Sequence, residues 1–331
     1  MDALELETPA LYIDLDVLER NIATMQARCR AWGVGLRPHV KTHKIREIAE
    51  LQLAAGAIGI TVAKISEAER LPGEDVLIAF PIMPEKLPRL RRLAEQRRVT
   101  VVADSVAAAG LLESVDALVE VDVGFARCGV QSADDFERVA NACPRFRGLF
   151  YYPASLDEPT LRRGADLVRA CLARRGGAIV CGGSTPTAEF TPLVPETTEV
   201  RFGSYVFNDC GMVALGVARD EDCALRVLVS VVSTAVRGQC VVDGGANTFA
   251  LYPTRIVGGY GRCADRPLTI DRLHAEHGCV RIGDGAARVG EKLWVIPASA
   301  SKTIALHDDV AYGRGGRVEG FWRVAARGCV R

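Results

Sequence analysis

The sequence predicts an α/β fold: a (β/α)8 TIM-type barrel followed by a C-terminal antiparallel β domain. Between residues 34 and 203, short runs rich in Val and Ile alternate with amphipathic stretches, the pattern of a parallel sheet with crossover helices. Eight such runs favour a closed barrel over an open sheet, and no Gly-x-Gly-x-x-Gly follows the first run to support the doubly wound alternative. After about residue 222 the texture changes to β-rich runs separated by Gly-containing turns.

The elements follow in order. Residues 16–32 place Val17, Leu18, Ile22 and Met25 at helical spacing. The strand candidates are 34–38, 58–63, 75–80, 99–104, 117–123, 147–152, 178–183 and 198–203, with helical patterns such as 44–56, 85–96 and 161–175 between them. The later runs are CALRVLVSVVSTAV, QCVVDGG, KLWVIPA and TIALHDDVAYG. The expected organisation is therefore a barrel over 16–221 and a β domain over 222–331, to which the N-terminal residues 1–15 contribute a strand.

Composition narrows the function. The 331 residues suit about two domains, and 49% hydrophobic with 25% charged residues is ordinary for a globular chain. Lys and Arg number 41, as do Asp and Glu, so the net charge is zero and no field of one sign gathers nucleic acid or anionic lipid. No apolar run approaches a membrane span, and the acidic start MDALELETPALYIDLD lacks a signal-peptide layout. A cytoplasmic protein with neither nucleic-acid nor membrane partners is expected. Eleven cysteines are scattered without a Cys-x-x-Cys pair, which removes the commonest zinc and redox signatures. Cys171 and Cys223 read as small buried hydrophobes.

Barrel chemistry sits at the C-terminal ends of the strands. The first strand ends in Arg37-Pro38-His39-Val40-Lys41-Thr42-His43-Lys44. Only six lysines exist, and Lys41 stands at the barrel mouth beside two of the five histidines. A lysine there can lose its proton and form a Schiff base; a solvated basic loop is the alternative reading. The seventh strand ends in Cys181-Gly182-Gly183-Ser184-Thr185 and the eighth in Arg201-Phe202-Gly203-Ser204-Tyr205. Glycines with hydroxyl and N–H donors form phosphate cradles, although either segment alone reads equally as a glycine turn. A Schiff-base lysine with two phosphate loops in one mouth implies pyridoxal 5′-phosphate.

These segments carry a family resemblance. TPALYIDLDVLERNI, RPHVKTHK, AKISEAE, VDVGFARCGV, CGGSTPT, TEVRFGSYVFND, VVDGGANT and AEHG cover nearly the whole chain. Together they resemble the D-threonine aldolase and D-serine dehydratase group of fold type III, alanine racemase-like pyridoxal phosphate enzymes. The resemblance implies that Lys41 carries the cofactor and acts as the base at Cα. It gives the phosphate to Gly182, Gly183, Ser184, Thr185, Gly203, Ser204 and Tyr205, and places His39 and Tyr152 at the cofactor. It brings Arg127 to the phenolic oxygen; an exposed salt-bridging arginine is the alternative. Arg201 occupies the place of an arginine facing the pyridine nitrogen, and a residue that cannot give up its proton would keep that nitrogen neutral. Bonding of Arg201 within the strand-end loop is the structural alternative.

The sequence departs from that family at one site. Where metal-dependent members read a PNHxC-like segment, this chain has Ile296-Pro297-Ala298-Ser299-Ala300-Ser301, so both ligand positions are serine. Neutral hydroxyls bind Zn²⁺ or Mn²⁺ poorly. Where the family reads Tyr-x-Gly-His-x-Gln, this chain reads Tyr152-Pro153-Ala154-Ser155-Leu156-Asp157, placing Ser155 at the histidine position. The expectation is a metal-independent lyase acting on a D- or β-hydroxy amino acid, with Ser155, Ser299 and Ser301 toward the substrate. His277 is the candidate acid, and His307 reads as structural. Racemisation or epimerisation is the alternative reaction, and a non-catalytic cofactor carrier the alternative function. A homodimer is expected by the same resemblance.

Overall fold

A computed structural model describes residues 1–153, 155–252, 257–283 and 287–331. The chain opens with β1 (Ala10–Asp14) and the long helix α1 (Leu15–Ala31). Parallel strands then alternate with helices: β2 (Gly35–Leu36), α2 (Arg46–Ala54), β3 (Ile60–Val62), α3 (Ile65–Ala68), β4 (Asp75–Ile78) and α4 (Leu87–Gln96). The series continues through β5 (Arg98–Ala103), α5 (Val106–Gly110), β6 (Asp116–Val121), α6 (Ala133–Ala142), β7 (Phe146–Tyr151), α7 (Glu158–Arg174), β8 (Ile179–Gly182) and β9 (Glu199–Val200). All eight barrel runs of the sequence are therefore strands. Their helices start where side chains accept orphan backbone donors: Ser132 from the Asp135 N–H and Asp157 from the Thr160 N–H. In α7, Leu161, Ala165, Val168 and Cys171 recur at helical spacing and are buried.

The parallel strands run in the order β2-β9-β8-β7-β6-β5-β4-β3. A bridge between His39 and Thr61 joins the two ends, with the Thr61 N–H donating to the Pro38 carbonyl at 2.8 Å, so the sheet is a closed barrel. Leu77, Val102, Leu118, Phe150 and Cys181, one from each of five neighbouring strands, form its interior cluster. At the other end of β2, β4 and β9 the interior is ionic. Arg37 donates to both carboxylate oxygens of Glu199 at 3.1 Å and to Asp75 at 2.7 Å.

The remaining elements are α8 (Cys210–Ala214), β10 (Leu225–Ser233), β11 (Gln239–Val242), α9 (Ala246–Phe249), β12 (Gly261–Cys263), β13 (Thr269–Leu273) and β14 (Gly278–Arg281). They end with β15 (Lys292–Pro297), α10 (Ala300–Ile304), β16 (Asp309–Arg314) and β17 (Arg317–Arg323). Strands β10, β11, β14, β13, β12 and β15 pair in a closed ring, because β10 bonds both β11 and β15. From β10 the sheet extends through β1, β16 and β17, with β1 antiparallel to β10 and parallel to β16. The run read as 303–313 is not one strand: its first residues belong to α10, and β16 begins only at Asp309. The N–H of Thr303 bonds back to the Ser299 carbonyl, and an apolar stretch this short does not distinguish a buried helix from a strand by periodicity.

The chain divides into two compact units. One comprises Met1–Ala23, Thr42–Glu47 and Ser204–Gly328; the other comprises Thr24–Lys41, Ile48–Gly203 and Cys329–Arg331. All eleven cysteines are free thiols. Among the described residues no helix is long and apolar enough to cross a membrane.

Candidate active site

The mouth of the barrel is specified by strand parity. Side chains two residues apart share a face, so the interior cluster fixes which residues stand above it. Counting on by two from Leu77, Val102, Leu118, Phe150 and Cys181 puts Ala79, Asp104, Glu120, Tyr152 and Gly183 on the same interior side, further toward the C-terminal strand ends. Glu199 pairs with both Cys181 and Gly35, which puts Arg201 and Arg37 on the same side.

Lys41 follows β2 and is exposed at this open end. Its approach is fixed by backbone bonds: the Arg37 N–H donates to Val200 O and the His39 N–H to Phe202 O, both at 2.9 Å. His39 is buried, with ring Nδ1 3.1 Å from the Thr61 carbonyl. On the adjacent strand ends the Arg201 N–H donates to Gly182 O at 3.0 Å. The Gly203 N–H donates to the Thr185 hydroxyl at 3.2 Å, tying the two glycine turns together. The lysine, in the 3-10 turn Val40–Thr42, and both glycine turns thus follow the ends of three neighbouring strands, β2, β9 and β8.

The glycines are dictated by packing. Gly183 has φ +88°, and a Cβ there would lie 2.7 Å from the Phe202 ring; one on Gly182 would overlap the Tyr151 ring. The Ser184 hydroxyl is committed within the loop, 2.9 Å from Pro153 O and 2.8 Å from the Thr187 hydroxyl. Ser184 and Thr185 are buried. In the other unit, Ser204 and Tyr205 begin a short 3-10 turn, Ser204–Val206.

Two arginines are held in contrasting ways. Arg201 is only 4% exposed; its Nε donates to Cys181 Sγ at 3.1 Å, Nη2 donates to the Tyr151 carbonyl, and its guanidinium carbon lies over the Phe150 ring. Arg201 thus bonds to the neighbouring strands β7 and β8 and not within its own strand-end loop. Arg127 is exposed, with its guanidinium 5.1 Å from the Phe125 ring and 5.2 Å from Tyr152. It is also 3.8 Å from Glu120. Its loop is shaped by Asp122, whose carboxylate accepts the N–H groups of Gly124, Phe125 and Ala126.

Sequence reasoning missed Glu120. It is 5% exposed on β6, and burial pushes its carboxyl above the ordinary value against the opposing pull of Arg201 and Arg127. The available signal was a lone acid inside the apolar run ALVEV, since Glu is almost never fully buried unpaired.

Ser155 lies in the loop after β7, where its hydroxyl accepts the Asp157 N–H at 3.0 Å; Ala154 falls outside the described residues. In the β-domain unit, the hydroxyls of Ser299 and Ser301 are 3.4 Å apart at the start of α10. The Asp209 carboxylate accepts the Ala300 N–H between them at 3.0 Å. Burial pushes Asp209 above the usual carboxylate range. Among the described residues no three His, Cys, Asp or Glu side chains converge as a metal-holding group. His277 is exposed on the turn before β14. His307 is placed structurally: its Nε2 lies 3.1 Å from Thr248 O, and burial lowers its pKa.

Comparison with known proteins decides the family. Residues 13–210 match the model of the alanine racemase N-terminal domain, and residues 224–312 match a putative serine dehydratase domain. The chain belongs to the alanine racemase-like family. Within it, the chain is 35% identical to a D-threo-3-hydroxyaspartate dehydratase of Delftia sp. (strain HT23), over 91% of this chain and 92% of that one. It is 34% identical to a D-threonine aldolase of Arthrobacter sp, over 98% and 94% respectively. The crystal structure of D-threonine aldolase from Filomicrobium marinum superposes with a TM-score of 0.90 at 32% identity, covering 99% of this chain and 98% of that one. The alanine racemase-like fold here is thus a parallel barrel joined to an antiparallel β domain that closes on itself.

Proposed function

We propose that this chain is a pyridoxal 5′-phosphate-dependent lyase acting on a D- or β-hydroxy amino acid, and that it works without a metal ion. The observation that carries the reading is the juxtaposition of Lys41 with the Gly182-Gly183 and Gly203 turns at the ends of three adjacent strands of one barrel mouth. Relatives named as an aldolase and a dehydratase support the reaction class.

The donor set fits such a cofactor. An amine, two glycine turns without side chains and two guanidinium groups match an aldehyde, a phosphate and a heteroaromatic ring. Lys41 would hold the cofactor with His39 and Tyr152 beside it. Gly182, Gly183, Ser184, Thr185, Gly203, Ser204 and Tyr205 would hold its phosphate, with Ser184 and Thr185 shaping the turns through the bonds they already make. When bound, pyridoxal phosphate supplies an electron sink for a carbanion at the substrate Cα.

Lys41 then serves as the base that takes or returns the proton at Cα. Arg201, permanently protonated and anchored to Tyr151 O and Cys181 Sγ, offers the ring nitrogen no proton. Arg127 stands at the phenolic edge. In β-elimination the hydroxyl departs as water and needs a proton, which we assign to His277; in cleavage of the Cα–Cβ bond the same group would accept the β-hydroxyl proton. Ser155, Ser299 and Ser301 would bind the polar ends of the substrate as neutral hydroxyls. Racemisation, the second reaction, needs only an acid on the opposite face of Cα. The same reading makes the protein a cytoplasmic homodimer; eleven unpaired thiols suit a reducing compartment.

The test is spectroscopic and chemical. The protein reconstituted with pyridoxal phosphate should show a visible band that Lys41→Ala abolishes, and an unchanged band would refute the assignment. Candidate amino acids in D₂O should release an aldehyde or a keto acid. Exchange of the α-proton with inversion would instead indicate a racemase, and neither signal across a broad panel a carrier.

A further inference from the structure

We propose that Glu120 is a positioning residue of the barrel mouth, whose carboxylate holds Arg127 toward the edge of the cofactor ring. This rests on the functional reading above and adds to it a residue that does not itself touch the substrate.

Glu120 lies two residues beyond Leu118 of the apolar cluster on β6 and pairs in register with Phe150, another member of that cluster. A carboxylate has no reason to be there unless cations compensate it. Arg127 is one, its guanidinium 3.8 Å from the carboxylate, and the charge of Arg201 also opposes the upward push of burial on the carboxyl. The backbone fixes the pairing: the Val130 N–H donates to Glu120 O and the Asp122 N–H to Val130 O, both at 2.9 Å. The loop carrying Arg127 is therefore tied at both its ends to the strand carrying Glu120.

Arg127 needs such a hold. Its side chain is 52% exposed and otherwise rests on the faces of Phe125 and Tyr152, contacts that constrain its height above the rings more than its direction. Glu120 supplies the direction. The other charged or titratable groups near the carboxylate are Asp104, Asp122 and Cys128. The two acids repel it.

The test uses full-length apo-protein and Glu120→Gln, which keeps shape and removes charge. Pyridoxal phosphate should bind this variant about tenfold more weakly, the size of one lost charge-assisted contact. The pH midpoint of the bound cofactor's visible band should move down, since a nearby negative charge favours a cationic form. Glu120→Asp should restore part of both. In an Arg127→Gln background, Glu120→Gln should weaken binding by less than it does alone, because the partner is already gone. Wild-type affinity and midpoint in Glu120→Gln would overturn the assignment, as would equal losses in both backgrounds. If Glu120→Gln does not fold, Glu120→Met, which suits a buried site and also removes the charge, carries the test, and wild-type affinity and midpoint there overturn it. A wild-type protein that takes up no pyridoxal phosphate would overturn the functional reading and this inference with it.

Discussion

Arg201 sits over Phe150, its guanidinium carbon 3.6 Å from the ring centroid. The contact joins the charged mouth of the barrel to its apolar interior, because Phe150 also packs with Leu118 and Cys181 below. Arg201→Met should therefore do more than remove a charge. It leaves the Tyr151 carbonyl without a side-chain donor and Glu120 with one cation fewer, a loss of about 2–3 kcal/mol. Arg201→Lys keeps the charge but cannot reach both acceptors with one ammonium, and should lose about half of that. Urea unfolding of the apo-protein checks both values, and equal stability of Arg201→Lys and wild type would contradict the role of the paired bonds.

The ionic end of the barrel is a separate stability element. Arg37 is 6% exposed and pairs with Glu199 and Asp75. Arg37→Met should cost about 3–5 kcal/mol, since it strands a buried Glu199 carboxylate. Arg37→Met combined with Glu199→Leu should recover much of that loss, because no uncompensated charge then remains at that pair. Denaturant midpoints compare the two, and additive losses would mean that the pair is not coupled.

The barrel was legible because its strands are buried on both faces and read as continuous apolar runs, IGITVA and VTVVAD among them. Lys41 and the glycine turns were legible because their position at strand ends follows once the strands are found. The partners of Arg201 were not. Cys181 and the Tyr151 carbonyl come from strands 20 and 50 residues earlier, and only the register brings them together. Arg37 shows the same limit, because its two acids lie 38 and 162 residues away. The stretch from Ser299 to Arg314 misled for a local reason: apolar and β-branched residues there serve first a short buried helix and then a strand.

His307 gives a pH signature in the β-domain unit. It faces the Thr248 carbonyl, with Arg327, Asp308 and Asp309 nearby, and its folded pKa is lowered chiefly by burial. The unfolded chain thus binds a proton that the folded chain refuses. Stability contributed by the neutral ring is complete above the ordinary histidine value and is lost as pH falls below it toward the folded value. His307→Gln removes this titration. Wild-type unfolding free energy should fall more steeply than that of His307→Gln as pH drops from neutral into the acid range. Parallel curves from the two proteins would show that His307 does not titrate on unfolding.

The serine pair makes the sharpest chemical prediction. Ser299 and Ser301 present neutral hydroxyls 3.4 Å apart, and the carboxylate closest in the bonding pattern, Asp209, is already engaged by the N–H groups of Met212 and Ala300. Hydroxyls of this kind hold first-row divalent ions weakly beside imidazole or thiolate, so activity on the preferred β-hydroxy amino acid should survive exhaustive dialysis against a chelator. Adding Mn²⁺ or Zn²⁺ afterwards should leave kcat unchanged. The double substitution Ser299→His with Ser301→Cys should instead confer measurable Zn²⁺ binding by calorimetry, because it supplies the ligand types the pair lacks. Loss of activity on chelation, restored by either ion, would show that the serines or their neighbours do hold a metal and would overturn the metal-independent reading.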